Sequence, residues 1–251
     1  DDIDYFKGSG YKHAELVNDV YYFLKYNLEQ FNLVMCPTEY DIDYDTPYLK
    51  SLGENLLPDI KILWTGNETL SHRITKDSFN RISSILNHEI IIWDNVPVND
   101  FKGDKELLFI APYENRSPHL CENNLEGIVL NPMDIWEASK FTLASFSQYA
   151  FNADSFRGKD DFKKAISSIV SKHYVDDFYV FSQYFRNSRV SNSLPFNLIH
   201  MLNKNDIDGI DNELNKLFNA TKNIKNSKER KLLKSIMPWI VQIEKEKILW
   251  E

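Results

Sequence analysis

Short apolar runs that do not alternate are the feature that most restricts the fold open to this chain: LVMC at 33–36, IKILW at 60–64, EIIIW at 89–93 and GIVL at 127–130. A strand with one wet face alternates apolar and polar residues. A strand covered on both faces, as in a parallel sheet, reads as an unbroken apolar run. Helical patterns lie between the runs. Residues 12–30 place Leu16, Val20, Phe23, Leu24 and Leu28 at helical spacing, and residues 75–87 open with Thr75 and Asp77 and gather Phe79, Ile82, Ile85 and Leu86 on one face. Pro132 leads into a further helix over 135–149, and LLFI at 107–110 reads as one more short strand. Strand, loop and helix repeat, which is α/β architecture.

A polar or aromatic motif follows each run: Cys36-Pro37-Thr38-Glu39-Tyr40, Trp64-Thr65-Gly66, Trp93-Asp94-Asn95 with Asn99-Asp100 beyond, and Asn131-Pro132-Met133. In such folds ligands bind at the carboxyl ends of the strands, so these groups would converge on one mouth. The layout points to an enzyme site on part of a (β/α) barrel. Only four strand–helix units are legible, against the eight that close a barrel. From about Asp160 the pattern changes to helices with polar connections. Phe162, Ile166, Ile169 and Val170 share a face, and the aromatic residues of 174–187 read as core packing.

Charge divides the chain in the same place. Residues 1–150 hold 24 acids and 12 bases, whereas residues 151–251 hold 13 acids and 17 bases, within an overall net charge of −8. An acidic first part disfavours nucleic acid, whose binding rests on clustered cations, and the basic run Lys222–Lys234 reads as a solvated helix face. No segment approaches the ~20 apolar residues of a membrane helix. The two cysteines, Cys36 and Cys121, have neither zinc-like spacing nor the density of a disulfide framework. None of the six histidines shows metal-ligand spacing, the eight glycines form no phosphate loop, and no metal or cofactor is expected.

Five motifs, in order, carry a family resemblance: Asp1-Asp2-Ile3-Asp4, CPTEY at 36–40, PYLKSLGENLLPDIKILWTG at 47–66, WDNVPVND at 93–100 and GIVLNPM at 127–133. Together with FTLASFSQYAFNADSF at 141–156 they resemble family 84 glycoside hydrolases, the O-GlcNAcases and their bacterial relatives, some of which are called hyaluronoglucosaminidases. The resemblance implies the second half of a (β/α)8 TIM-like barrel over 1–156, followed by an all-α helical bundle over 157–251. It implies a retaining β-N-acetylglucosaminidase that hydrolyses terminal β-linked GlcNAc on a glycoconjugate. The substrate's own acetamido oxygen would be the nucleophile, giving an oxazoline intermediate, a recognised exception to two-carboxylate catalysis.

The implied roles fall on matching positions. Asp1 would orient the acetamide, and Asp2 would protonate the leaving oxygen and then activate water, with a pKa raised by its like-charged neighbour. Without the resemblance, Asp1-Asp2-Ile3-Asp4 is simply an acidic, solvated end. Tyr40 and Asn95 would contact the acetamide region. Asp100 would accept hydrogen bonds from the sugar's 4- and 6-hydroxyls, and Asn131 would bind further hydroxyls. Trp93, Thr65 and Cys36 would line the pocket for the N-acetyl methyl group, or else pack at their strand ends. Asp94 and Glu39, which neighbour site residues, read as structural because adjacent strand residues face opposite ways.

In the family the Asp pair follows the fourth strand, and earlier strands supply a Gly-rich loop and a Lys that meet the sugar. Those elements are expected on an N-terminal half-barrel polypeptide, whether a companion chain or a segment cleaved from or left off ahead of residue 1, and without it this chain would be inactive. Two other readings stand beside the exo-enzyme: a hyaluronidase-type endo-enzyme of the same fold, and a non-catalytic carbohydrate-binding module. Localisation is open, leaning to secreted or surface-associated as in bacterial relatives.

Overall fold

The computed structural model describes residues 8–101, 103–120, 124–186, 188–190 and 196–250. They belong to two compact units: a sheet unit drawn from 1–95 and 115–130, and a helical unit drawn from 96–114 and 131–251.

The sheet unit carries strands β1 (Val34–Met35), β2 (Lys61–Trp64), β3 (Ile90–Asp94) and β4 (Leu125–Leu130), and helices α1 (Gly10–Asn27), α2 (Pro47–Asn55) and α3 (Lys76–Leu86). The four strands are parallel and lie in sequence order, with Met35 opposite Ile62, Ile62 opposite Ile90, and Ile92 opposite Ile128. Thr75 caps α3 by accepting from the Ser78 amide, and Asn87 ends it in the left-handed conformation. Thr46 caps α2 in the same way, accepting from the Leu49 amide, with Pro47 at the first helical position. α1 and α2 meet at Gly10, where a Cβ would lie 2.0 Å from the Tyr48 carbonyl oxygen. Only glycine permits that approach.

One face of the sheet is dry. Met35, Ile62, Trp64, Ile90 and Ile92 are buried in a core shared with Ala14, Leu49, Leu52, Phe79 and Ile82 of the three helices. The opposite face is partly bare: Val34, Trp93 and Val129 are exposed, Trp93 by 41%. The unbroken apolar runs led to an expectation of cover on both faces, and within this chain one face has it.

α1 departs from the sequence reading in a related way. Gly10, Ala14 and Tyr21 turn inward; of the five residues assigned to its apolar stripe, Leu16, Val20, Phe23 and Leu28 are exposed, Phe23 by 66%, and Leu24 is half-buried. Periodicity identifies an apolar stripe without saying what covers it.

At the end of β3, Asp94 and Arg116 form a bidentate pair, Nε to Oδ2 at 2.7 Å and Nη2 to Oδ1 at 2.6 Å, with both side chains all but fully buried. The guanidinium also donates to the carbonyls of His72 at 3.1 Å and Ser71 at 3.0 Å. Backbone bonds from Ile74 N to Asn115 O and from Ser117 N to Ile74 O complete the seam. Asp94 is thus structural, as expected of the neighbour of a site residue.

The helical unit holds α4 (Trp136–Phe151), α5 (Gly158–Ser167), α6 (Val175–Gln183), α7 (Phe196–Lys204), α8 (Ile207–Lys225) and α9 (Arg230–Trp250). Its core joins Phe141, Phe162, Ile166, Phe178, Phe181, Ile224, Ile236 and Ile240. The aromatic residues of α6 are core, with Phe141 and Phe178 ring centroids 5.7 Å apart and Phe181 and Phe185 4.5 Å apart. Residues 107–110 are not a strand. Leu108, Phe109 and Ile110 are consecutively buried among helices, with the Ile110 amide bonded to the Phe185 carbonyl at 2.7 Å and the Phe109 amide to Met133 Sδ at 3.4 Å. A chain segment buried among helices carries the same apolar run as a two-sided strand.

Two outcomes follow from these contacts. Asp94→Asn or Arg116→Met alone should cost about 3–5 kcal/mol by leaving a buried group uncompensated, and the double variant Asp94→Leu/Arg116→Met should recover part of it. Urea unfolding reads this, and equal midpoints for native and Asp94→Asn would show the pair to be inert. Burial, reinforced by the charge of Glu213, pushes the Tyr184 phenol from its ordinary 10 up to about 12. The unfolded chain therefore ionises first, so stability is retained below pH 10 and lost as pH climbs from 10 towards 12. Tyr184→Phe should flatten that decline in pH-dependent thermal melts; an unchanged slope would refute the assignment.

Candidate active site at the strand ends

In the sheet unit the carboxyl ends of three neighbouring strands present Cys36 and Tyr40 after β1, Thr65 after β2, and Trp93 and Asn95 at the end of β3. The connecting loops are held by side chains from below. Tyr48 of α2 accepts from the Thr38 amide at 3.0 Å and lies 2.7 Å from His13 Nδ1. Burial raises the Tyr48 pKa, so this phenol stays protonated. Trp64 Nε1 donates to the Ile42 carbonyl at 2.8 Å. Glu39 accepts from the Thr46 hydroxyl at 2.5 Å, which ties the CPTEY loop to the cap of α2.

Thr65 is buried. Its amide donates to the Tyr40 carbonyl at 3.0 Å, and its hydroxyl donates to the Glu68 carbonyl at 2.9 Å. Gly66 has φ +109, and a Cβ there would lie 2.0 Å from Ser71 Oγ, so the turn after β2 requires glycine. Thr69 donates to Asp41 at 2.7 Å, joining this loop to the one after β1.

Asn95 is oriented from both ends of its carboxamide. Nδ2 donates to the Thr69 carbonyl at 2.6 Å, and Oδ1 accepts from Trp93 Nε1 at 3.0 Å. Cys36 is an exposed residue whose thiol lies 3.7 Å from the Pro37 carbonyl oxygen, and its pKa is raised first by partial desolvation and then by the charge of Asp41. It is held as a neutral thiol, which suits a wall and not a nucleophile.

In the helical unit Asp100 is exposed, directly after buried Asn99, whose side-chain amide donates to the carbonyls of Lys105 at 3.2 Å and Leu107 at 2.8 Å. Phe101 carries the Arg189 guanidinium 5.1 Å from its ring centre, and Arg189 in turn pairs with Asp104 at 2.6 Å. Asn131 is half-buried, one residue beyond β4. Asp1 and Asp2 lie outside the described residues. Among the described residues no group of three His, Cys, Asp or Glu is arranged to hold a metal.

Tyr48, Gly66 and Arg116 fix these loops and carry no role in the sequence reading. Gly66 stands in the WTG motif and could have been read as a turn residue. Arg116 meets Asp94 across 22 positions, a separation that leaves no local pattern.

A family profile described as beta-N-acetylglucosaminidase matches residues 1–183. Protein O-GlcNAcase of Rattus norvegicus is 36% identical over 139 residues, covering 52% of this chain and 14% of that protein, and the Mus musculus protein gives the same figures. Among solved structures, a variant of the Thermobaculum terrenum O-GlcNAc hydrolase superposes with a TM-score of 0.82 at 28% identity, over 92% of this chain and 52% of that one. The structure of CpGH84B gives a TM-score of 0.83 at 21% identity, over 94% of this chain and 45% of that one, and so bears on the fold alone. The chain therefore spans about a seventh of the length of those curated relatives and about half of those solved chains. A profile match across 183 of 251 residues decides the family: this chain belongs to the beta-N-acetylglucosaminidases, family 84 of the glycoside hydrolases.

Proposed function

We propose that this chain is the second half, over 1–156, of a (β/α)8 catalytic barrel followed by a helical bundle over 157–251, and that it acts as a retaining β-N-acetylglucosaminidase when the first half of the barrel completes it. The observation that carries this reading is the row of parallel strands in sequence order with the family's motifs at their carboxyl ends. Strand order in a barrel follows sequence order, whereas in an open doubly wound sheet it reverses at a switch point. The exposed Val34, Trp93 and Val129 on one sheet face, and the exposed Leu16, Val20 and Phe23 of α1, favour a protein partner over solvent.

The chemistry is hydrolysis of a terminal β-linked GlcNAc. The acetamido oxygen attacks the anomeric carbon and displaces the aglycone, whose oxygen takes a proton from Asp2. The resulting oxazoline is opened by a water that Asp2 deprotonates, restoring the acid. Asp1 holds the acetamide N–H and offsets the charge that develops on it. Tyr40 and Asn95 contact the acetamide region. Asp100 and Asn131 bind ring hydroxyls, and Trp93, Thr65 and Cys36 receive the methyl group. Two features of the sheet unit support the last assignment. The Thr65 hydroxyl is already spent on backbone, and the Cys36 thiol is neutral, so both offer an unreactive wall.

Hydrolysis of a chromogenic β-N-acetylglucosaminide tests the whole reading. Turnover should require this chain together with the amino-terminal half-barrel from the same source, and Asp2→Asn should lower kcat by about 10²–10⁴-fold, the usual worth of a general acid–base. No turnover in a correctly assembled mixture would overturn it. Asp100→Ala should reduce kcat/KM by about 10²-fold or more for the N-acetylglucosaminide. Its penalty should shrink for a substrate lacking the 4-hydroxyl, and an equal penalty on both substrates would remove Asp100 from sugar recognition.

A further inference from the structure

The basic run Lys222–Lys234, read from sequence as a solvated face, turns the corner between α8 and α9 and borders a groove of about 800 Å3 within the helical unit. Its floor is apolar: Leu233, Met237 and Val241, four residues apart along one face of α9, with Pro238 beside them. Its rim is cationic. Lys225, Arg230, Lys234 and Lys245 line it, and no Asp or Glu does. Lys225 is neutralised by Glu244 at 2.7 Å. Arg230, Lys234 and Lys245 are in no ion pair among the described residues.

Three uncompensated cations around an apolar strip call for an occupant that brings both negative charge and apolar surface. A sulfated glycan or a nucleic acid would meet the rim and offer little to Leu233, Met237 and Val241. An amphipathic helix with apolar residues at i, i+4 and i+7 and acids beside them satisfies floor and rim together. Arg230 to Lys245 spans 15 helical steps, about 22 Å at ~1.5 Å each, which matches a partner helix of about four turns. We propose that this groove is a docking site for an acidic amphipathic helix of a partner protein.

The test is fluorescence anisotropy of a labelled acidic amphipathic peptide of about four helical turns, titrated with the purified chain. Three competitors accompany it: a scrambled peptide of identical composition, a heparin oligosaccharide, and vesicles of mixed phosphatidylserine and phosphatidylcholine. Binding of the amphipathic peptide is expected, weakened about tenfold or more by Lys234→Glu/Lys245→Glu and by a similar factor by Val241→Asp. All three positions are exposed, thermal melts confirm that the variants are folded, and a basic version of the peptide, expected not to bind, controls from the ligand's side. Absence of binding would overturn the proposal. So would equal binding of the scrambled peptide, tighter binding of heparin with no effect of Val241→Asp, or a preference for the vesicles.

Discussion

The Asp94–Arg116 pair is the contact on which the loop after β2 and its setting against β3 depend. Asp94 is the last residue of β3, and its carboxylate receives both arms of a guanidinium that also holds the carbonyls of Ser71 and His72. One side chain thus binds the loop after β2, the segment leading to β4 and the end of β3 into one body. Two charges taken out of water gain little net stability by attracting each other; what they gain is uniqueness, because a misplaced loop would strand a buried ion. The residue after Asp94 is Asn95, whose amide meets the carbonyl of Thr69 in the same loop. The placement of Asn95 therefore inherits its precision from a pair that never needs to touch a ligand.

Much of the fold was legible because it rests on local patterns. Unbroken apolar runs marked β2, β3 and β4, and Thr75 with Asp77 marked the start of α3. Three elements show where such patterns fail. Leu108, Phe109 and Ile110 of the LLFI run are buried in the helical core while Leu107 is exposed, and a one-dimensional sequence cannot distinguish that burial from a two-sided strand. α1 has its apolar stripe where periodicity put it, yet its covered side is the one bearing Gly10 and Ala14. α2 is signalled by the Thr46 cap and Pro47, which are easily overlooked beside a stronger apolar rhythm.

The candidate site was legible to a different depth. Motifs at run ends placed Cys36, Tyr40, Thr65, Trp93 and Asn95 at adjacent strand ends, a consequence of parallel topology alone. Which partners hold each side chain was not legible. Those partners, such as the Glu68 carbonyl for Thr65 and the Thr69 carbonyl for Asn95, lie in loops without periodicity. The supporting residues Tyr48 and Arg116 were invisible for the same reason.

The exposed apolar positions bear on how stability is divided in such a chain. Three helices cover one face of the sheet and reach a dry core, which is enough to order the strands. Leaving Val34, Trp93 and Val129 open removes hydrophobic stabilisation of about 25 cal/mol for every Å2 left in water. β1 and β4 also end the row among the described strands, and each parallel edge is a line of backbone donors and acceptors. A partner that paired those edges and covered that face would gain both terms at once. Trp93 sits on that face and bonds Asn95, so covering the sheet and fixing the candidate site would be a single event.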